Sequence, residues 1–300
     1  MIHSFLYADS ADLLIISMLP FLVSCFQNVA TATFQKTQKS KRGIPLISTN
    51  LELGAKKIQA VANECLLNLN KTPDVMLHMT ESKPSIIENQ ITAALQKGIN
   101  VISASEAMFY PNLRFPKFSS KLNEIALNSN VTVTGFGINP GFVFDSLPLL
   151  LSRTTNNISS LTINRTIDVT GTGQGDIEHV GYGLTEEKFN YHLNKGDIVG
   201  HMGAPDSLTL VAEYLNLRLT HIKEFWETKT ASFEVDSGDP TLGILPPGRV
   251  IGITQRAEAY YKKNCIIKTT LKMFYQPQIF DLEEQDEIII EGQMPINLKI

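Results

Sequence analysis

Three short polar clusters, each closing or following an apolar run, carry the residues of this chain best suited to chemistry. Thr80-Glu81-Ser82 follow "PDVMLHM", Ser103-Ala104-Ser105-Glu106 close and follow "NVISA", and Asn139-Pro140-Gly141 follow "VTVTGFG". If the runs are parallel strands, these hydroxyl, amide and carboxylate groups lie at carboxyl ends, where ligands of α/β sheets bind. Glu106 is the acid/base candidate, since a carboxylate beside an apolar cleft can be tuned toward neutral pH. The structural alternatives are a helix cap for Ser82 and solvated loop carboxylates for Glu81 and Glu106. His201, in "GHMG", is either a proton donor or a packed loop histidine. Asp206 either meets a ligand or stabilises a helix N-terminus, and Arg165 either pairs with Asp168 or meets a ligand. His179 and His192 have no partner at metal-ligand spacing, and Cys25, Cys65 and Cys265 are too far apart for a metal or redox motif.

The glycines of "VTVTGFGINPGFVFDSLP" (131–148) invite a phosphate-loop reading, since glycines between a strand and a helix often cradle phosphate. The dinucleotide fingerprint is G-x-G-x-x-G. Here Gly135 and Gly137 are followed by Gly141, one residue late and behind Asn139-Pro140.

The elements that must position these groups alternate. Strand 73–79 is nearly continuously apolar, as buried parallel strands are. A helix follows, with Ser82 able to cap, Pro84 in the first turn, Ile87, Ile91, Ala94 and Leu95 on one face, and Gly98 at its end. Strand 100–104, a helix over 119–130 facing inward with Leu122, Ile125 and Ala126, and strand 131–137 complete a βαβ succession. Beyond Asp145 the pattern changes to strand 160–169, helices 185–196 and 205–218, and extended runs 220–234, 249–261, 265–275, 286–292 and 296–300. Strands following strands at hairpin spacing predict an antiparallel sheet covered by helices. "GTGQGD" (171–176) has no helix pattern directly behind it and is a flexible turn.

The 300 residues suffice for two modest domains, with 43% hydrophobic and 19% charged residues. A net charge of −4 and a pI of about 5.9, without a basic run, argue against nucleic acid as a partner. Few, scattered cysteines suit a reducing compartment, and a cytoplasmic location without membrane attachment is expected. The apolar run Leu13–Phe26, followed by Ala30-Thr31-Ala32, gives the alternative of an export signal. Asp9 and Asp12, with no Lys or Arg ahead of the run, oppose it.

"PDVMLHMTES", "GINVISASEAMFYP", "GFGINPGFVFDSLP", "VGYGLTEEKF", "GHMGAPDSLTLVAEYL" and "DEIIIEGQMPINLKI" occur in order over residues 43–300. Together they resemble the 2,4-diaminopentanoate dehydrogenase family, a branch of the dihydrodipicolinate reductase-like NAD(P)-dependent oxidoreductases. The resemblance implies an α/β fold: an incomplete Rossmann-like doubly wound parallel sheet followed by an α+β domain with a mainly antiparallel sheet. Residues 1–42 then stand as an unassigned apolar segment, 43–145 as a partial NAD(P)-binding domain, and 146–300 as a substrate and oligomerisation domain. It implies hydride transfer between a nicotinamide and a carbon bearing an amine or imine, on a small amino-acid-derived substrate, in a homo-oligomer. In that frame Glu106 and His201 are catalytic candidates, and Thr80, Ser82, Ser103, Asn139, Pro140 and Gly141 contact NADP or NAD. Arg165 and Asp206 are the substrate-binding candidates.

The resemblance also places "GFGINPGF" at the nicotinamide end of the cofactor, since the pyrophosphate loop of such proteins follows the first strand. Residues 1–42 contain no glycine, so weak dinucleotide binding is expected, and a non-catalytic relative that keeps fold and oligomer is the alternative. The loop "VTGTGQGDIEHVGYGL" carries Asp176 and Glu178 where the family usually has an arginine, which leaves the substrate's identity open.

Overall fold

The computed structural model describes residues 13–17, 72–170, 177, 180–238 and 242–300. The chain divides into two compact units, residues 1–136 and 137–300. The Asn139-Pro140-Gly141 turn belongs to the second unit.

In the first unit four parallel strands lie in sequence order: β1 (Leu13–Ser17), β2 (Val75–Met79), β3 (Asn100–Ser103) and β4 (Val133–Gly135). This is the succession found outward from the first strand in a 3-2-1-4-5-6 sheet. Part of the apolar run expected to stand apart from both domains thus supplies β1, which pairs with β2 from Leu13–Val75 to Ser17–Met79. "LLIIS" is the kind of uninterrupted apolar run that parallel strands use.

Helix α1 (Pro84–Gln96) joins β2 to β3 and buries Ile87, Ile91, Ala94 and Leu95, the stripe that a 3.6-residue period predicts. Each fully buried aliphatic side chain stabilises by about 1.5–3 kcal/mol. Pro84 occupies the first turn, but the residue at the cap position is Lys83 and no side chain caps the helix. Ser82 is used elsewhere. A 3₁₀ turn (Glu106–Met108), the single turn α2 (Pro111–Arg114) and α3 (Pro116–Asn128) lead on to β4. Phe118, Leu122 and Ala126 of α3 close the core against α1, with Ile125 partly buried. Gly135 is required where β4 meets the 3₁₀ turn, because a Cβ there would lie 2.2 Å from the Met108 carbonyl carbon.

The second unit holds a six-stranded sheet. Its strands are β5 (Ser160–Asp168), β6 (His221–Thr230), β9 (Val250–Tyr261), β10 (Asn264–Phe274), β11 (Gln285–Glu291) and β12 (Ile296–Lys299). A small hairpin, β7 (Val235–Asp236) with β8 (Ile244–Leu245), stands apart. The sheet order is β12-β11-β5-β10-β9-β6, antiparallel except for β5 with β10. Among the helices that accompany it are α4 (Ser146–Ser152), which the sequence pattern did not predict, α5 (Glu186–Lys195) and α6 (Ala204–Tyr214). Thr185 caps α5 through its hydroxyl and Gly196 ends it at φ +81°. Leu208 and Val211 of α6 join Ile253, Ala257 and Leu271 of the sheet in one core. Gly171, Gly173, Gly175, Asp176, Glu178 and His179 lie outside the described residues.

Candidate functional site

The carboxyl edge of β2 and β3 is built around His78, the penultimate residue of β2. His78 is fully buried and registers opposite Ser103, the last residue of β3. Its Nδ1 lies 2.9 Å from Ser103 Oγ and its Nε2 lies 2.7 Å from Gln90 Oε1 on α1. Thr80 donates its hydroxyl to Gln90 Oε1 at 2.6 Å, and its Oγ1 is 3.0 Å from His78 Nε2. The Ser105 amide donates to Ser103 Oγ at 3.2 Å. Burial holds the imidazole below its ordinary pKa, and the Gln90 hydrogen bond opposes this only in part.

The two loops behind these strands are tied together as well. The Glu106 amide donates to Ser82 Oγ at 3.2 Å, and the Ser82 amide donates to the Glu81 carboxylate at 2.7 Å. Thr80, Ser82, Ser103 and Glu106, singled out separately by their positions after strands, therefore belong to one hydrogen-bonded edge of the first unit. Ser105 Oγ is buried without a hydrogen-bond partner.

In the second unit the Asn139-Pro140-Gly141 turn, with a cis Asn139–Pro140 bond, is closed upon itself. A Cβ on Gly141 would stand 2.3 Å from the Gly137 nitrogen, and one on Gly137 would stand 2.7 Å from the Pro140 carbonyl oxygen. These glycines are thus needed for the turn's own backbone contacts. Asp145, fully buried, fastens the turn to α4 and α6. One carboxylate oxygen accepts from the Gly141 amide at 2.9 Å and the Ser207 hydroxyl at 2.8 Å; the other accepts from the Ser146 amide and lies 2.9 Å from the Ser146 hydroxyl, whose single proton it shares with the Gly141 carbonyl at 2.8 Å. Ser207 lies on α6, and Gly203 before α6 lets the Pro140 ring approach: a Cβ there would meet Pro140 Cγ at 2.5 Å. The turn and the start of α6 form a single assembly.

Asp206 belongs to it, buried in the first turn of α6, where the helix dipole favours a carboxylate. The main chain of His201 is held from β9. Gln255 accepts from the His201 amide at 3.0 Å and donates to its carbonyl at 2.9 Å, while also donating to Glu224 at 3.2 Å. Arg165 departs from the expected pairing. Its Nη1 donates to Asp286 at 2.7 Å, not to Asp168, because Asp286 is its cross-strand partner on β11. Residues three apart on a strand, such as Arg165 and Asp168, point to opposite faces. Burial lifts the Asp286 carboxyl above its usual pKa, against the pull of Arg165. His192 pairs with the exposed Asp197, and no cluster able to hold a metal occurs among the described residues.

Sequence reasoning missed His78, Gln90, Asp145, Ser207 and Gln255. The available signal was a lone polar residue inside an apolar run, as in "VMLHM" and "FVFDS".

Residues 142–300, more than half of the chain, match the model of the 2,4-diaminopentanoate dehydrogenase C-terminal domain. A 2,4-diaminopentanoate dehydrogenase from Acetoanaerobium sticklandii is 28% identical over 229 residues, which are 76% of this chain and 64% of that protein. The match thus spans less than two thirds of that relative's length. Among solved structures, an amine dehydrogenase from Mycobacterium smegmatis aligns with a TM-score of 0.65 at 22% identity, covering 80% of this chain and 69% of that chain. At that identity the likeness concerns the fold.

Proposed function

We propose, for a chain that belongs to the 2,4-diaminopentanoate dehydrogenase family by its C-terminal domain, an oxidoreductase using NADP or NAD on an amino-acid-derived amine or imine. Family membership carries this reading. Two observations of chemistry fit it. Asn139 Nδ2, in the turn of the second unit, and Ser105 Oγ, behind β3 in the first, are buried donors without a hydrogen-bond partner in the protein. Leaving such a donor unmet costs about 1–3 kcal/mol, and a nicotinamide nucleotide carries acceptors of the kind that either donor, taken by itself, would accept as partner.

When bound, the nicotinamide supplies a two-electron hydride donor or acceptor. In the first unit Thr80, Ser82 and Ser103 are the residues that would contact the nucleotide; in the second, Asn139, Pro140 and Gly141 are the candidates, and the Asn139 amide would donate to it. Glu106 and His201 are the proposed groups that move the amine proton, with Glu106 held through its backbone amide to Ser82. Asp206 anchors a substrate ammonium. Arg165 offers a substrate carboxylate the guanidinium N–H groups not given to Asp286. We further propose a cytoplasmic homo-oligomer. No helix among the described residues is long and apolar enough to cross a membrane.

A second reading, a non-catalytic relative, is favoured by one feature. No glycine follows β1 until Gly43, whereas a pyrophosphate loop needs backbone approach that a Cβ obstructs. Losing that cradle removes several kcal/mol, and each 1.4 kcal/mol is a factor of ten, so binding on the order of millimolar is expected. Titration with NADPH and NADH, followed by nicotinamide fluorescence, combined with turnover of 2,4-diaminopentanoate, separates the readings. Weak binding with measurable turnover supports the enzyme. Absence of both at saturating concentrations overturns it in favour of the non-catalytic relative.

A further inference from the structure

His78 lies under the candidate cofactor edge without being an obvious contact to it, and its network spends polar groups where apolar ones would pack. Two residues earlier on the same strand, the fully buried Met76 shows what the sheet interior otherwise accepts. A buried polar network is worse than an apolar core unless every member is satisfied, and this one is satisfied by a single chain of donors. The Ser105 amide donates to Ser103 Oγ, which leaves the Ser103 hydroxyl hydrogen to donate to Nδ1. The ring proton then sits on Nε2, directed at Gln90 Oε1, with Thr80 Oγ1 beside it. Thr80 gives its own hydrogen to the same Gln90 oxygen. One imidazole thereby joins three elements: β2, β3 and α1.

We infer that His78 is a positioning residue: it clamps the carboxyl ends of β2 and β3 and so fixes the Thr80 and Ser103 hydroxyls, and the Ser105 backbone, against which a nicotinamide nucleotide binds. The inference rests on the cofactor reading above. It gives the imidazole no part in proton transfer to substrate. The cross-strand pairing of His78 with Ser103 is the last in the β2–β3 ladder, so beyond it the two loops are held by side chains. At the level of that pairing itself, the Ala104 amide donates to the His78 carbonyl at 2.9 Å.

The test compares His78→Leu, which removes both ring hydrogen bonds, with His78→Gln, which keeps a donor near the Nε2 position. Met76→Ala serves as a control for simple loss of core packing in the same strand. His78→Leu is expected to raise the NADPH dissociation constant at least about tenfold, with His78→Gln recovering most of the loss. Met76→Ala is expected to leave it within about twofold despite its own loss of stability. Equal weakening by His78→Leu and Met76→Ala, or none by His78→Leu, overturns the inference. Gln90→Leu severs the clamp from α1 and replaces His78→Leu in the comparison should that variant not fold. If the wild-type protein itself does not bind nucleotide, the cofactor reading fails, and hydrogen exchange in the ligand-free protein decides the clamp. Faster exchange at the Ala104 and Ser105 amides in His78→Leu than in Met76→Ala supports it, and equal exchange overturns it.

Discussion

Replacing Asp145 by Asn keeps the side chain's shape and changes only what it can accept, so it isolates the hydrogen bonds that hold the Asn139-Pro140-Gly141 turn. The carboxylate accepts from the Gly141 amide and Ser207 hydroxyl on one oxygen and from the Ser146 amide on the other, with the single Ser146 hydroxyl proton shared between that second oxygen and the Gly141 carbonyl. An amide must present its NH2 group to one side, setting it against the Gly141 amide or the Ser146 amide. Hydrogen bonds to a charged group are worth about 1.5–3 kcal/mol each. At least one is lost and the desolvation of a buried charge is relieved, so the expected net cost is about 2 kcal/mol. The chain has one tryptophan, Trp226, on β6 of the second unit, so its fluorescence during urea unfolding reports the unit that contains Asp145. Ser207→Ala should cost about 1–2 kcal/mol alone. If Asp145→Asn turns its NH2 toward Ser207, that cost should largely vanish in the double variant, a coupling of about 1 kcal/mol. An Asp145→Asn protein within about 0.5 kcal/mol of wild type would refute the view that this carboxylate organises the turn.

Two further outcomes follow from the geometry. Gly203→Ala drives a Cβ to 2.5 Å from Pro140 Cγ; the ring has no rotamer to yield with, so a loss of about 1–3 kcal/mol is expected in the same Trp226 unfolding assay. For His78, the folded-state pKa lies below the free value of 6.5. The stability tied to this group is therefore complete above pH 6.5 and is lost as the pH falls below it, where the unfolded chain takes up a proton that the folded imidazole refuses. The slope reaches at most about 1.4 kcal/mol per pH unit. Urea midpoints followed by circular dichroism between pH 7 and 5 should show this decline, with His78→Gln flattening it; parallel declines in both proteins would remove His78 as its source.

Local pattern made most elements legible. The period of Ile87, Ile91, Ala94 and Leu95 predicted the buried face of α1, and Thr185 with Gly196 bounded α5 because cap chemistry is written in adjacent residues. The hairpin of β9 and β10 was likewise visible, with Lys262 at φ +57° beginning the turn. Helix α4 was not, since "SLPLLLS" is apolar on nearly every side and its period says nothing. Ser82 had the right type for a cap, but its hydroxyl is taken by the Glu106 amide, a partner 24 residues away. Arg165 failed for a related reason: neighbours in sequence suggested Asp168, while the sheet register delivered Asp286.

The candidate site was legible as a set of positions and illegible as an arrangement. That polar residues behind β2, β3 and β4 are candidates follows from strand ends being where parallel sheets open. What joins them does not follow, because His78 reaches Ser103 through strand register and Asp145 reaches Ser207 across 62 residues. The glycines show the same division. Gly137 and Gly141 attracted attention as a phosphate cradle by their type, yet each is small because the turn's own backbone lies against it. Glycine there records a tight turn. A strand at Leu13–Ser17 with no glycine behind it until Gly43 records the opposite condition. The variants above act separately on the carboxyl edge built on His78 in the first unit and on the turn held by Asp145 in the second, because the contacts proposed for a nucleotide rest on those two local arrangements.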